Sequence, residues 1–216
     1  MAQHGDRARE TLLDAAEELF AEHGIDAVSN RRITEHAGTA NHSAIKYHFG
    51  GRDEMIQALL ARGREQITAR REQILGELPD QPSLHDLVGA GVRPWIEYLD
   101  SLPVPGHRAR FTYQAMFLPS VEEPLRVGIE RSVQFDGQMG AIPELAHVPE
   151  PVLTARMRLI ASLTLRLCAS YETDVEAGTA SGSWTAVGYF IIDAATGMLS
   201  APVTHPDQFP TAVVAP

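Results

Sequence analysis

Little in this sequence supports export, a disulfide scaffold or catalysis. A single cysteine, Cys168, excludes an internal disulfide framework and suits a reducing compartment. No apolar run approaches the roughly 18 residues of a membrane span, and Met1 to Glu10 is too polar for a signal peptide. A cytoplasmic protein is expected. There is one lysine, Lys46, every other basic side chain being arginine. Alternating strand patterns and internal repeats are absent. So are G-x-S-x-G, the P-loop, G-x-G-x-x-G after a strand and H-E-x-x-H. The nine histidines are scattered; His36, His42 and His48 are too poorly spaced to hold a metal. Cys168 lies in an apolar stretch and reads as a buried, inert thiol. No enzyme, metal or cofactor is expected.

What the chain does contain is helical periodicity from end to end, and one stretch of distinct character at Ser29–Arg52. Asn30 to Ala37 reads as a short helix with Ser29 as N-cap and Ile33 and Ala37 facing inward. Gly38 supplies a left-handed stop. Asn41 to His48 reads as a second helix capped by Asn41, with Ile45 and Phe49 inward and His42, Ser43, Lys46 and Tyr47 outward. Two helices about a glycine turn, the second with a polar and aromatic outer face, form the pattern of a helix-turn-helix DNA reader. The net charge of −10 argues against nucleic acid only at first sight, because binding follows local charge. This stretch carries Arg31, Arg32, Lys46 and Arg52 against Glu35 alone.

The rest of the chain predicts an all-α protein. Asp6 to His23 is amphipathic through Leu12, Ala16, Leu19 and Phe20, and completes a three-helix head over residues 1–51. A long connecting helix is expected from Arg52 to Leu78. Further helices follow at Ser83–Ser101, with a kink or break at Pro94, then at His107–Leu118, Glu122–Met139, Val152–Ala177 and Ser183–Leu199. Residues 52–201 thus make a helical-bundle domain, and 202–216 a Pro-rich tail. In Val152–Ala177 the stripe is Leu153, Met157, Ile160, Leu163, Leu167 and Tyr171. The last two helices are more apolar than surface helices should be. They suggest a homodimer through about 152–177 and 183–199, two helices from each subunit. Arg166 and Asp193 lie within them, and mutual pairing or partial exposure is the reading for both.

On these residues the chain resembles the TetR family of bacterial transcriptional regulators. The resemblance rests on L-x-x-A-x-x-L-F-x-x-x-G from Leu13 to Gly24, S-x-R-x-I at Ser29 to Ile33, and Ala37–Gly38. Its most specific part is I-K-Y-H-F-G-x-R-D-E-M-I from Ile45 to Ile56. It covers roughly the first 55 positions; the remaining three quarters of the chain matches in architecture only. The turn A-G-T-A-N carries one residue more than usual, most simply Thr39, which shifts the register of the second helix. Lys46 stands where the family often has an aromatic.

The resemblance implies a ligand-responsive regulator, most simply a repressor, that binds a palindromic double-stranded DNA operator and is released by a small, largely apolar effector. A transcriptional activator with the same head, or a helical protein–protein adaptor, is the alternative. Ser29, Arg31, Arg32, Tyr47 and Arg52 are candidates for phosphate contacts. Asn41, His42, Ser43, Ala44 and Lys46 are the remaining DNA-facing candidates, with Ala44 suited to a thymine methyl and Lys46 to guanine. Trp95, Tyr98, Phe111, Tyr113, Met116, Phe117, Phe135, Met139, Met157 and Tyr171 are candidates for an apolar effector pocket, although ordinary core is the commoner fate of any one of them.

Overall fold

The computed structural model describes residues 2–39, 41, 43–121 and 142–205. The expected helix Glu122–Met139 therefore falls outside the described residues, as does most of the 202–216 tail. Among the described residues the fold is all-α. The helices are α1 (Ala2–His23), α2 (Asn30–His36), α3 (Ala44–Phe49), α4 (Arg52–Ala61), α5 (Arg64–Gly76), α6 (Leu84–Asp100), α7 (Arg108–Ala115), α8 (Glu150–Glu176) and α9 (Trp184–Ser200). No described helix is long and apolar enough to cross a membrane.

Two cores organise these helices. The first joins Leu12, Leu13, Ala16, Leu19 and Phe20 of α1 to Ile33 of α2, Ile45 of α3 and Met55, Ile56 and Leu59 of α4. Each such side chain, once buried, contributes on the order of 1.5–3 kcal/mol, so helices as short as α2 and α3 stand only because they are packed. Phe111 and Ala115 of α7 also belong to this core. The second core gathers Ile74 of α5, Leu87, Ile96 and Leu99 of α6, Met157 and Cys168 of α8, and Ile191, Ile192, Ala195 and Leu199 of α9. Arg156 of α8 closes the far end of α9, donating to the carbonyls of Leu199 (2.8 Å) and Ala201 (2.7 Å). These are the free carbonyls of a helix C-terminus, which need such donors.

Three expectations about elements change. The connecting helix is two helices, because Gly63 adopts the left-handed conformation (φ +74°) between them. Its bare Cα lets Tyr98 pack directly on the backbone: a Cβ at that position would stand 2.2 Å from the Tyr98 ring. Pro94 does not break α6, which runs on to Asp100. Ile96, Tyr98 and Leu99 beyond the proline are buried, and that burial outweighs the hydrogen bond the ring removes. The stripe on α8 also divides. Met157 is in the second core, with Leu153 and Ile160 packed against it, but Leu163 and Leu167 are exposed; so are Leu159, outside the stripe and four residues before Leu163, and Tyr189 and Phe190 on α9.

Candidate nucleic-acid interface

The head displays α2 and α3 on a rigid base. The Ser29 hydroxyl accepts from the Arg32 backbone N–H (3.2 Å) and starts α2. Thr34, fully buried, donates its hydroxyl to the Arg31 carbonyl (2.9 Å). Gly38 turns left-handed (φ +69°), as the glycine stop requires. The Thr39 hydroxyl then accepts from the Asn41 N–H (3.2 Å), and the Asn41 side chain accepts from the Ser43 N–H (2.9 Å). These two side-chain turns delay the second helix, so α3 begins at Ala44 and not at Asn41.

The short α3 turns only part of the expected face outward. Ser43, Lys46 and Tyr47 are exposed, Tyr47 at 81%, with its ring edge-on to His48 at 4.9 Å. Phe49 is half-buried beneath Arg9, whose guanidinium stands 5.0 Å above the ring. Ala44 is 4% exposed and sits in the head core. It is out of reach of a thymine methyl, and the expectation for it is corrected. His42 lies outside the described residues.

The basic candidates divide as well. Arg31 and Arg32 are exposed on α2. Arg31 Nε donates to Glu35 at 2.7 Å, and this bond raises its already high pKa. The pair is wholly at the surface, so a phosphate can replace Glu35 at little cost. Arg52 is engaged inside the head. Its guanidinium donates to Asn30 Oδ1 (3.0 Å) and to the Ile25 carbonyl, and lies 4.9 Å over the Phe20 ring. Burial lowers its pKa. Arg52 braces α4 against α2, where a free phosphate contact was expected.

Among the described residues the effector candidates divide, Phe111 going to the head core and Met157 and Trp95 to the second core. Trp95 and Tyr98 are neighbours on α6, ring centroids 5.9 Å apart. Phe111 is fully buried in the head core, stacked on Phe20 at 6.0 Å, which removes it from any pocket of the second domain. Tyr113 and the exposed Phe117 meet edge-on at 5.4 Å, with Arg166 of α8 5.7 Å above Tyr113. Met116, half-buried, closes α7. Met157 is core, and Tyr171 packs on Trp184 at 4.8 Å. Phe135 and Met139 lie outside the described residues. Arg166 and Asp193 are both exposed, the second of the two readings given for them; they do not pair within the chain, Asp193 meeting His85 at 3.1 Å. Burial pushes the Cys168 thiol up to about 12, the Trp95 indole acting in the opposite sense. Such a thiol stays protonated and unreactive at neutral pH.

Sequence reading passed over the charged cluster where the head meets α7. Arg108 is 4% exposed and donates to the Leu59 carbonyl (2.6 Å) and to Glu17 (2.7 Å). The only available sign was a cluster of arginines after Pro105–Gly106, and nothing in its spacing points to α1.

A three-helix head that holds its apolar sides in a core, and turns Arg31, Arg32, Lys46 and Tyr47 outward, is a helix-turn-helix DNA-binding domain. Residues 12–59 match the sequence profile described as "Bacterial regulatory proteins, tetR family". The match spans the helix-turn-helix segment, and over it the chain is similar to that family. Two solved structures share the fold at low identity. The first is NalD, the secondary repressor of the MexAB-OprM multidrug efflux pump in Pseudomonas aeruginosa (20% identity, 89% of this chain and 95% of that chain, TM-score 0.58). The second is a transcriptional regulator from Rhodococcus sp. Rha1 (21% identity, 88% and 95%, TM-score 0.50). No curated protein sequence matches the chain.

Proposed function

We propose that the protein is a transcriptional repressor that binds a palindromic operator as a homodimer and is released by a small, largely apolar effector. The observation that carries this reading is the exposure of Lys46 and Tyr47 on α3 while the adjacent Ile45 is locked in the head core. Tyr47 and the α2 arginines would hold phosphates, and Lys46 with Ser43 would meet base edges. One head binds weakly, and two held a helical turn apart read a palindrome.

The dimer would form on the exposed apolar face of α8 and α9. Leu159, Leu163 and Leu167 on α8 and Tyr189 and Phe190 on α9 are large apolar side chains that a monomer has no reason to keep in water. For the effector, the second domain offers a buried donor without a hydrogen-bond partner among the described residues, Arg71 Nε. Burial lowers the Arg71 pKa. An apolar molecule bearing an acceptor group would satisfy this donor.

Selection of bound sequences from a random DNA pool, followed by gel-shift titration at several salt concentrations, tests the reading. A palindromic site whose affinity falls steeply with salt is expected. Failure to enrich any sequence would refute the DNA-binding assignment and favour an adaptor role.

A further inference from the structure

The helix between the two cores is α7, and buried charge fastens both its sides. Glu172 of α8, 4% exposed, accepts from the backbone N–H groups of Ala109 (3.0 Å) and Arg110 (2.9 Å) in the first turn of α7. Gly106 packs so closely on this carboxylate that a Cβ there would stand 2.9 Å from Oε1. Arg110 adds a bond to Glu176 at 2.6 Å. A carboxylate on the free N–H groups of a helix start is a strong, directional attachment. It ties α7 to α8.

Arg108, at the same turn, ties α7 to the head. One nitrogen holds the Leu59 carbonyl in the last turn of α4, and the other holds Glu17 of α1. Glu17 also receives Arg62 (3.1 Å), the residue at the α4–α5 joint, which bonds Glu10 (2.7 Å) and Asp14 (2.8 Å) as well. One buried guanidinium therefore touches the first helix of the head and the end of its last helix, and reaches the joint where the chain leaves it through Glu17.

A buried ion pair adds little stability over a well-packed apolar pair, but it tolerates very few arrangements. Such a contact fixes an angle more firmly than it holds a fold. We propose that Arg108, outside the head and far along the chain from it, is a positioning residue for DNA binding. It sets the angle between head and body, and so the separation of the two recognition helices in the dimer. The proposal rests on the operator-binding reading above.

The test compares wild type with the double variant Arg108→Met/Glu17→Met. The double variant leaves no uncompensated buried charge, since Arg62 keeps Glu10 and Asp14. The probes are a selected operator, the same operator with one base pair added or removed between half-sites, and a single half-site. Wild type should lose about 100-fold in affinity when the spacing is wrong, because only one head then engages. The double variant should melt close to wild type and bind the half-site equally well. It should bind the native operator about tenfold more weakly, and its penalty for altered spacing should shrink to a few-fold. An unchanged spacing profile overturns the proposal. So does a matching loss on the half-site, which would make the pair a fold residue of the head. Should the double variant fail to fold, Arg108→Lys decides by the same criteria, since lysine keeps a charge for Glu17 but lacks the fork that holds Leu59 as well. Absence of any sequence-specific binding by wild type would refute the operator reading itself, before any variant is measured.

Discussion

Tyr47 and Ala44 are three residues apart, and the sequence made both look like DNA contacts. The structure separates them by where α3 begins. The helix starts late, at Ala44, and packs that residue into the head core, whereas Tyr47 faces solvent. The side-chain turns of Thr39 and Asn41 cause the delay, and residue type alone did not reveal them. Tyr47 keeps its place on the surface. Replacing it with alanine should raise the operator Kd about tenfold, the worth of one good polar contact. The melting temperature should stay unchanged, because the side chain is 81% exposed; calorimetry and gel shift on one preparation check both halves. Gly63 is the opposite case, silent about function and rigid about structure. Gly63→Ala places a methyl carbon 2.2 Å from the Tyr98 ring in a left-handed backbone. A loss of about 2 kcal/mol or more is expected in urea unfolding, with a shifted midpoint at nearly constant slope.

At the level of elements, apolar periodicity located every described long helix, because a stripe that must be buried is written directly into side-chain spacing. Interruptions were harder to read. Gly63 ended a helix and Pro94 did not, since what decides is whether the residues beyond are packed, and packing is non-local. The division of α8 into a core face and an exposed leucine face was hidden for the same reason. Caps were easier, being local. Ser83 starts α6 with a reciprocal box: its hydroxyl accepts from the Asp86 N–H (3.2 Å), and Asp86 accepts from the Ser83 N–H (3.0 Å). Ser83→Ala should cost about 1 kcal/mol. The bonds from Ser83 hold the Asp86 carboxyl below its ordinary value. A carboxylate whose folded pKa is depressed stabilises the protein above its unfolded pKa, and loses that contribution as the pH falls through the folded one. Asp86→Asn should therefore remove part of the stability above about pH 4 and leave the two proteins closer together in stronger acid. Unfolding titrations at pH 3 and pH 7 would show whether the gap closes.

At the scale of the whole molecule, an acidic protein has to bind a polyanion. With a net charge of −10, long-range attraction cannot bring the protein to DNA, and one head with a few free cations binds poorly. Holding two heads on one rigid frame overcomes this, because the second contact becomes intramolecular and gains about 10²–10⁴ in affinity. In the proposed dimer the exposed leucines of α8 would be as necessary to DNA binding as Tyr47, at the far end of the chain. Leu163 lies at the middle of that row, half-exposed. Leu163→Glu would set two carboxylates facing each other in the proposed interface, where burial without a partner is costly. Sedimentation at micromolar concentration should show a monomer where wild type is a dimer. Operator affinity should fall about 100-fold or more, half-site affinity should not change, and the salt dependence should drop to about half, since one head releases half the counterions. A dimeric variant with wild-type binding would move the interface elsewhere. A monomeric variant that still binds the full operator tightly would mean that a single head suffices, and the acidic charge would then have no structural answer in this fold.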